Sequence, residues 1–279
     1  MKIKYLGTAA AESIPAMFCE CSFCQYARKV GGREIRKRSG VVIDDELMID
    51  FSPDVNAAFM EYGMSLANIK NIIFTHSHPD HACMLDLEYR KTPSYCLFEK
   101  EHENLHIFGN REVEKLVFEH FPNSKEFGLD FTYIKPFCSY EIGSFEVTPL
   151  SVIHCPPEDA YIYLIEKDGK CFLYGNDTTM FTDQVFDFLA NKYLDIVSLD
   201  CTCAGNGSGR SHMNFADNVV VRERFIKNGT SDEKTIFISH HFSHNGLRTD
   251  DKLLTYDNFS QLAAPYGFIM SYDGMDILI

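Results

Sequence analysis

The sequence THSHPDH at residues 75–81 directly follows the apolar run NIIF at residues 71–74. A short apolar run of this kind is typical of a buried β-strand, and a loop at its end can turn several side chains toward one point. Imidazole and carboxylate groups are ligands that suit zinc, manganese and iron. The stretch therefore predicts a metal site at the end of a strand. Its candidate ligands are His76, His78, Asp80 and His81.

Apolar runs of the same kind recur along the chain, and a polar residue that could do chemistry follows several of them. Strand ends that share one rim of a sandwich are where a site can be assembled from distant parts of a sequence. The pattern therefore predicts a cleft at that rim. The residues at these strand ends are Asp50, His76, His154, Asp177 and His241.

Strand-like and helix-like segments alternate, and some strands also form hairpin-like pairs, such as residues 161–167 with residues 170–175. This mixture predicts two mixed sheets face to face with helices outside, an αββα sandwich in the α/β class. No linker or repeat divides the chain, so we expect one domain over residues 1–279. Strands are predicted at residues 2–7, 40–45, 46–50, 71–76, 105–110, 131–136, 145–150, 161–167, 170–175, 195–200, 234–240 and 267–274. Helices are predicted at residues 53–62, 111–120, 183–191, 214–227 and 250–264.

The composition favours a globular protein that acts on a small molecule. Of the 279 residues, 45% are hydrophobic and 24% charged, which is enough apolar material for a packed interior. A net charge of −14 repels nucleic acid, so a small substrate is expected and nucleic acid is disfavoured. Neither a secretory segment nor a run long enough to cross a membrane is apparent, so we expect a cytoplasmic protein without a membrane partner.

Ten cysteines occur in the chain, and three of them crowd into FCECSFC at residues 18–24. Reduced thiols are expected in a chain of this size and location. Cysteines spaced as C-x-C are poor disulfide partners, whereas neighbouring thiolates are good zinc ligands. The cluster therefore predicts a metal site at Cys19, Cys21 and Cys24.

The H-x-H-x-D-H motif after a strand resembles the signature of the metallo-β-lactamase superfamily. That resemblance implies that His76, His78 and His154 hold one metal and that Asp80, His81 and His241 hold another. It also implies that Asp177 bridges the two metals. Taken alone, His154 could equally be a buried structural histidine and Asp177 a turn residue, and His240 is an alternative to His241.

The opening sequence LGTAAAESIPAMFCECSFCQYAR at residues 6–28 resembles the PhnP-type phosphodiesterases that accompany carbon-phosphorus lyase. This resemblance implies a structural zinc held by Cys19, Cys21, Cys24 and His244 in a loop at about residues 17–30. It also implies that His212 lies near the leaving group. The resemblance runs from residue 4 to residue 274 but is weak at residues 88–135.

These resemblances imply a phosphodiesterase that cleaves a small phosphodiester, such as a cyclic nucleotide or a sugar phosphodiester. A hydroxide between two divalent metals (Mn, Zn or Fe) would attack phosphorus, with Asp80 and His212 as catalytic residues. Asp50 is expected to support the metal loop. The alternatives are another ester or RNA-end hydrolase of the same fold, or a non-catalytic accessory protein similar to the coenzyme PQQ synthesis protein B. The oligomeric state, including a homodimer, stays open.

Overall fold

The structure is a computed structural model, and it describes residues 1–98 and 103–279. Residues 99–102, which fall in the segment where the family resemblance is weak, lie outside the described residues. The strands are β1 Lys2–Gly7, β2 Gly40–Ile43, β3 Leu47–Ile49, β4 Asn71–Ile73, β5 Leu105–Gly109, β6 Leu129–Tyr133, β7 Tyr140–Ile142, β8 Phe145–Val152, β9 Ala160–Lys167, β10 Lys170–Gly175, β11 Ile196–Asp200, β12 Ile236–His240, β13 Phe268–Met270 and β14 Asp276–Leu278. The α-helices are α1 Ser22–Val30, α2 Val55–Glu61, α3 Arg111–His120, α4 Asp183–Leu189, α5 Phe215–Lys227 and α6 Tyr256–Ala263. Short 3-10 helices lie at Gly32–Glu34, Leu66–Asn68, Met84–Arg90, Ser124–Phe127 and Ala264–Tyr266.

The strands form two seven-stranded mixed sheets. The first has the order β14-β1-β2-β3-β4-β5-β6, and the second has the order β13-β12-β11-β10-β9-β8-β7. Helices α2 and α3 pack on the outer face of the first sheet, and α4, α5 and α6 pack on the outer face of the second. The predicted αββα sandwich is therefore confirmed.

One core lies between the two sheets and another lies between the second sheet and its helices, and strand β9 contributes to both. Tyr161, Tyr163 and Ile165 face the other sheet, whereas Ile162 and Leu164 face the helices. Successive side chains of a strand point to opposite faces, so a strand covered on both faces must be apolar throughout. This explains why the run YIYLIEK lacks the alternation of polar and apolar residues that marks a half-exposed strand.

The structure corrects two local predictions from the sequence and adds two short strands that were not predicted. Helix α6 begins at Tyr256 rather than at residue 250, because the Thr255 hydroxyl accepts the Asn258 N–H and caps the helix there. Strands β7 and β14, of three residues each, were not predicted because they are too short for a periodic pattern. The segment predicted as a loop at about residues 17–30 becomes helix α1 from Ser22 onward.

The predicted site residues follow the carboxyl ends of strands from both sheets. Strands β10, β11 and β12 run parallel, as do β3, β4 and β5, so their carboxyl ends meet at one edge of each sheet. Asp50, Asp177 and His241 adopt φ angles of 61°, 49° and 60°. A left-handed backbone conformation costs residues other than glycine about 1 kcal/mol or more, and it is kept only where neighbouring contacts fix it. These turns aim side chains from both sheets into one cleft.

None of the helices in residues 1–98 and 103–279 is long and apolar enough to cross a membrane.

Candidate metal centre

Three of the predicted ligands form a compact imidazole group. The ligand atoms of His76, His78 and His154 all lie within 4.8 Å of one another. His154 Nε2 is 3.4 Å from His78 Nδ1, and the ring centroids of His76 and His154 are 4.7 Å apart. His78 is exposed to the cleft, whereas the other two rings are buried. Converging nitrogens of this kind can hold one divalent metal.

A second group joins the rest of the histidine motif to the end of β12. The ligand atoms of Asp80, His81 and His241 lie within 4.8 Å of one another. His81 Nε2 is 3.1 Å from Asp80 Oδ2. Two imidazoles and a carboxylate make a second set of ligands for a divalent metal.

Asp177 lies between the two groups. One carboxylate oxygen, Oδ2, is 3.1 Å from His81 Nε2 and 3.1 Å from His241 Nε2. The other oxygen, Oδ1, is 3.6 Å from His154 Nε2 in the first group. A carboxylate that faces both groups has the arrangement that a metal-bridging ligand requires.

Several buried atoms of this cluster find no hydrogen-bond partner in the part of the chain that the structure describes. Buried polar atoms are nearly always satisfied, and each exception calls for an explanation such as an ion. All of the orphaned atoms in this cluster are candidate ligand atoms, so the residues fit a divalent metal pair. The orphaned atoms are His76 Nε2, His81 Nε2, Asp177 Oδ2 and His241 Nε2.

Four of these histidines have their second ring nitrogen engaged by a hydrogen bond, and for His76 the partner of Nδ1 is the Thr75 hydroxyl at 3.0 Å. His81 Nδ1 donates to Asp50 Oδ2 at 2.7 Å, and His154 Nδ1 is 3.2 Å from the Ser211 carbonyl oxygen. The Thr202 hydroxyl lies 2.8 Å from His241 Nδ1. Such partners orient a ligating imidazole and leave its other nitrogen for the metal.

Asp50 also anchors the metal loop, as the sequence predicted. Its Oδ1 accepts the Thr75 backbone N–H at 2.8 Å, and the side chain is fully buried. One carboxylate therefore fixes both the beginning of the loop and its last ligand, His81.

The charges within the cluster couple metal binding to pH. Burial lowers the pKa of His76 well below its usual value, so this imidazole is neutral. Burial also opposes charge on His81, but the carboxylates of Asp177 and Asp50 outweigh it and raise the pKa of His81 well above its usual value. A metal must displace the proton of His81, so metal affinity falls as the pH falls.

His212 lies at the edge of the cluster and is held by a residue outside the predicted set. Its Nδ1 is 2.8 Å from Asp200 Oδ2, whereas Asp177 Oδ1 is 3.9 Å away. Burial lowers the pKa of His212, but the charge and hydrogen bond of Asp200 outweigh this effect and raise the pKa to about 9. The Asp200 carboxylate therefore favours the protonated form of His212.

These groups line one open cleft at the rim of the sandwich. Its wall includes the candidate ligands His78, Asp80, His154, Asp177 and His241. The wall also includes Arg210, which is exposed and belongs to the glycine-rich segment that precedes His212. The acidic cluster therefore faces a cleft that carries a cation at its mouth.

The structure also distinguishes His241 from its neighbour. His240 directs Nδ1 to the Ser271 hydroxyl at 3.0 Å and has Nε2 3.4 Å from the Ser39 hydroxyl. Both of its nitrogens are occupied away from Asp177, so His241 is the residue that faces the cluster.

The predicted cysteine site is assembled from the two ends of the chain. The ligand atoms of Cys19, Cys21, Cys24 and His244 lie within 4.8 Å of one another. His244 Nδ1 is 3.4 Å from Cys21 Sγ and 3.6 Å from Cys19 Sγ. Three thiols and one imidazole match a closed tetrahedral zinc site without an open position for substrate.

The thiols of this cluster differ in their readiness to ionise. Burial raises the pKa of Cys21, but hydrogen bonds from the Cys24 backbone N–H and from His244 outweigh it and lower the pKa to about 6. Burial raises the pKa of Cys24 to about 12. The Cys21 thiolate is thus favoured near neutral pH, whereas a bound cation would be needed to ionise Cys24.

We expect Cys21→Ser to remove about one equivalent of zinc and to lower the melting temperature by about 5 °C or more, because a closed zinc site contributes to folding. Metal analysis and thermal melting measure both effects. Cys138→Ser is the matched control, because Cys138 is exposed and lies outside this cluster. Unchanged zinc content in Cys21→Ser would contradict a metal site here.

Sequence reasoning missed Asp200, Thr202 and Glu158, which hold site residues by hydrogen bonds. Asp200 closes the predicted strand at residues 195–200, so the strand-end signal that selected Asp50 could have found it. Thr202 follows two residues later and carries no signal of its own. Glu158 lies in a loop after His154, and its partner Ser77 is distant in sequence.

The αββα fold with candidate metal ligands at its strand ends defines a protein of the metallo-β-lactamase type. Residues 46–227 match the family model described as a β-lactamase superfamily domain. The match covers more than half of the chain, so the chain belongs to this superfamily. Membership supports a metal-dependent hydrolase. None of the curated protein sequences matches the chain.

Solved structures with the same fold include proteins of different activities. One described as a new diphosphatase from the PhnP family is similar with a TM-score of 0.76 and 20% identity, covering 100% of this chain and 97% of the other. Zinc-bound PqqB from Methylobacterium extorquens has a TM-score of 0.68 and 16% identity, covering 100% of both chains. The short form of human tRNase Z has a TM-score of 0.67 and 16% identity, covering 100% and 99%. At these identities the likeness establishes the fold.

Proposed function

We propose that this protein is a metal-dependent phosphodiesterase that acts on a small phosphodiester. The observation that carries the proposal is the pair of three-residue groups that both face Asp177, with His212 beside them. Two divalent metals in these groups would supply an activated water and neutralise the phosphoryl oxygens as charge develops. The natural metals are proposed to be manganese, zinc or iron.

The residues of the chain supply the remaining parts of the reaction. Asp177 and Asp80 bring negative charge to the metal pair, and Asp50 fixes His81 in the orientation that the pair requires. His212, protonated and held by Asp200, would donate a proton to the departing oxygen. Cleavage of a phosphodiester then leaves a phosphomonoester and a free hydroxyl group.

Charge supports a small anionic substrate rather than a nucleic acid. The chain carries a net charge of −14, which repels a long polyanion. The basic side chain of Arg210 at the cleft mouth could still contact one phosphate of a small substrate. The similar diphosphatase from the PhnP family also acts in phosphate chemistry, as its name states, and this supports a phosphate-containing substrate. The free cysteines favour a reducing compartment, and we propose a cytoplasmic location.

Hydrolysis of bis(4-nitrophenyl) phosphate tests this function directly. We expect metal-dependent release of one 4-nitrophenolate per molecule, with 4-nitrophenyl phosphate as the product, because a monoester is a poor substrate for a diesterase. A chelator should abolish the activity, and added Mn²⁺ or Zn²⁺ should restore it.

Two comparisons separate the alternatives. Faster hydrolysis of 4-nitrophenyl acetate than of the diester would favour another ester hydrolase of the same fold. A chain that binds both active-site metals but hydrolyses neither compound would favour a non-catalytic accessory protein.

A further inference from the structure

Glu158 is an acidic residue outside both ligand groups, and its side chain accepts two hydrogen bonds from the metal loop. It lies in the loop between β8 and β9, four residues after His154, and is half-buried. Its Oε1 accepts the Ser77 backbone N–H at 2.8 Å, and its Oε2 accepts the Ser77 hydroxyl at 2.6 Å. Hydrogen bonds to an ionised carboxylate are shorter and stronger than those between neutral groups.

The position of Ser77 makes its two hydrogen bonds to Glu158 important for the metal centre. Ser77 lies directly between His76 and His78, the two ligands that the histidine motif contributes to the first group. A carboxylate that holds both the N–H and the hydroxyl of Ser77 restrains the backbone on which both imidazoles stand. Glu158 therefore influences the orientation of both imidazole rings through the backbone of Ser77.

The same side chain also connects to the loop of the third ligand and to a helix. Cys155, the residue after His154, directs its thiol to Glu158 Oε2 at 3.7 Å. The Asn110 side chain donates to Glu158 Oε1 at 2.8 Å and accepts the Val113 N–H at 2.9 Å, which caps helix α3. Glu158 therefore ties both ligand-bearing loops to the beginning of a helix.

The second ligand group is held by other residues. His81 is fixed by Asp50, and His241 by Thr202. Asp50 also reaches the first group, because the Thr75 hydroxyl that it accepts lies 3.0 Å from His76 Nδ1. The hydrogen bonds of Glu158, by contrast, go to Ser77, Cys155 and Asn110, on the side of the first group.

We propose that Glu158 is a positioning residue that aligns His76, His78 and His154 and sets the affinity of the metal they bind. The proposal rests on the dinuclear centre proposed above but not on the identity of the substrate. Groups that orient ligands typically change metal affinity about 10- to 100-fold when they are removed. Loss of the carboxylate should therefore weaken one active-site metal selectively.

The test is a titration of the metal-depleted full chain with Co²⁺ in competition with a chromophoric chelator. Absorption from cobalt–thiolate bonds follows the cysteine site separately. In Glu158→Gln, we expect one of the two remaining binding steps to weaken by about 10- to 100-fold and the other to change less than about threefold. Glu146→Gln is the matched control, because exposed Glu146 accepts the Ser139 hydroxyl at 2.7 Å far from the metal groups.

Ser77→Ala provides a second variant that keeps the carboxylate and removes one of its donors. It should weaken the same step, and the double variant should lose less than the product of the two single losses, because both remove one interaction. Equal weakening of both steps, or no weakening in either variant, would overturn the proposal. Because cobalt binding is measured without substrate, this outcome is distinct from a failure to hydrolyse phosphodiesters.

Discussion

Asp177→Ala should lower the turnover of bis(4-nitrophenyl) phosphate by a factor of about 10⁴ or more and reduce the metal content of the active site. The carboxylate faces ligand atoms of both groups, at 3.1 Å from His81 and His241 and 3.6 Å from His154. A metal pair supplies several kcal/mol of transition-state stabilisation, and each 1.4 kcal/mol is about a factor of ten in rate. Steady-state kinetics and metal analysis measure the two effects.

The backbone at Asp177 calls for a second variant. Its φ of 49° lies in the left-handed region, where aspartate and asparagine are tolerated better than alanine. Asp177→Asn keeps this preference and the side-chain shape but removes the negative charge, so it should lose activity without a change in circular dichroism. Asp187→Ala, an exposed position on α4, is the control for aspartate removal. Full activity with normal metal content in Asp177→Asn would contradict the bridging role.

The strand ends could be predicted from sequence because His76, Asp177 and His241 follow short apolar runs, which form β4, β10 and β12. The division of the candidate ligands into two groups was implied by the family resemblance. Parallel neighbours bring such strand ends together, so position along a strand already implies position in space. The same reasoning placed Asp50 beside the metal loop.

The supporting residues could not be predicted because their partners are chosen by packing between distant loops. Glu158 and Ser77 are separated by 81 positions, and neither belongs to a periodic pattern. Similarly, the contact between Asp200 and His212 depends on how the segment after β11 folds back over the cleft. The sequence therefore indicates candidate ligands more readily than the groups that orient them.

The role of His212 depends on whether it donates a proton or binds a metal. Its ring lies close enough to Asp177, Asp200 and His241 to form a further group of candidate ligands. Both carboxylate oxygens of Asp200, however, already have hydrogen-bond partners. Oδ2 lies 2.8 Å from His212 Nδ1, and Oδ1 accepts the backbone N–H groups of Thr202 and Met213 at 3.0 and 3.2 Å. A carboxylate engaged in this way orients an imidazole, which favours the proton donor.

His212→Ala should reduce turnover by about a hundredfold or more on a substrate with an alkoxide leaving group, which is within the usual contribution of general acid catalysis. Both active-site metals should stay bound, because the proposed ligands are unchanged. His120→Ala is the matched control, since that histidine is exposed and has Nδ1 2.9 Å from the Leu116 carbonyl oxygen within α3.

The dependence on the leaving group separates proton donation from the other roles of His212. A sugar alkoxide has a high pKa and must be protonated as it departs, whereas 4-nitrophenolate is stable as an anion. The variant should therefore lose much less activity on bis(4-nitrophenyl) phosphate than on a sugar phosphodiester, and kinetics on both substrates measure the difference. Equal losses with both metals bound would indicate that His212 positions the substrate. Loss of a metal would make His212 a ligand, and either result would contradict its assignment as the acid.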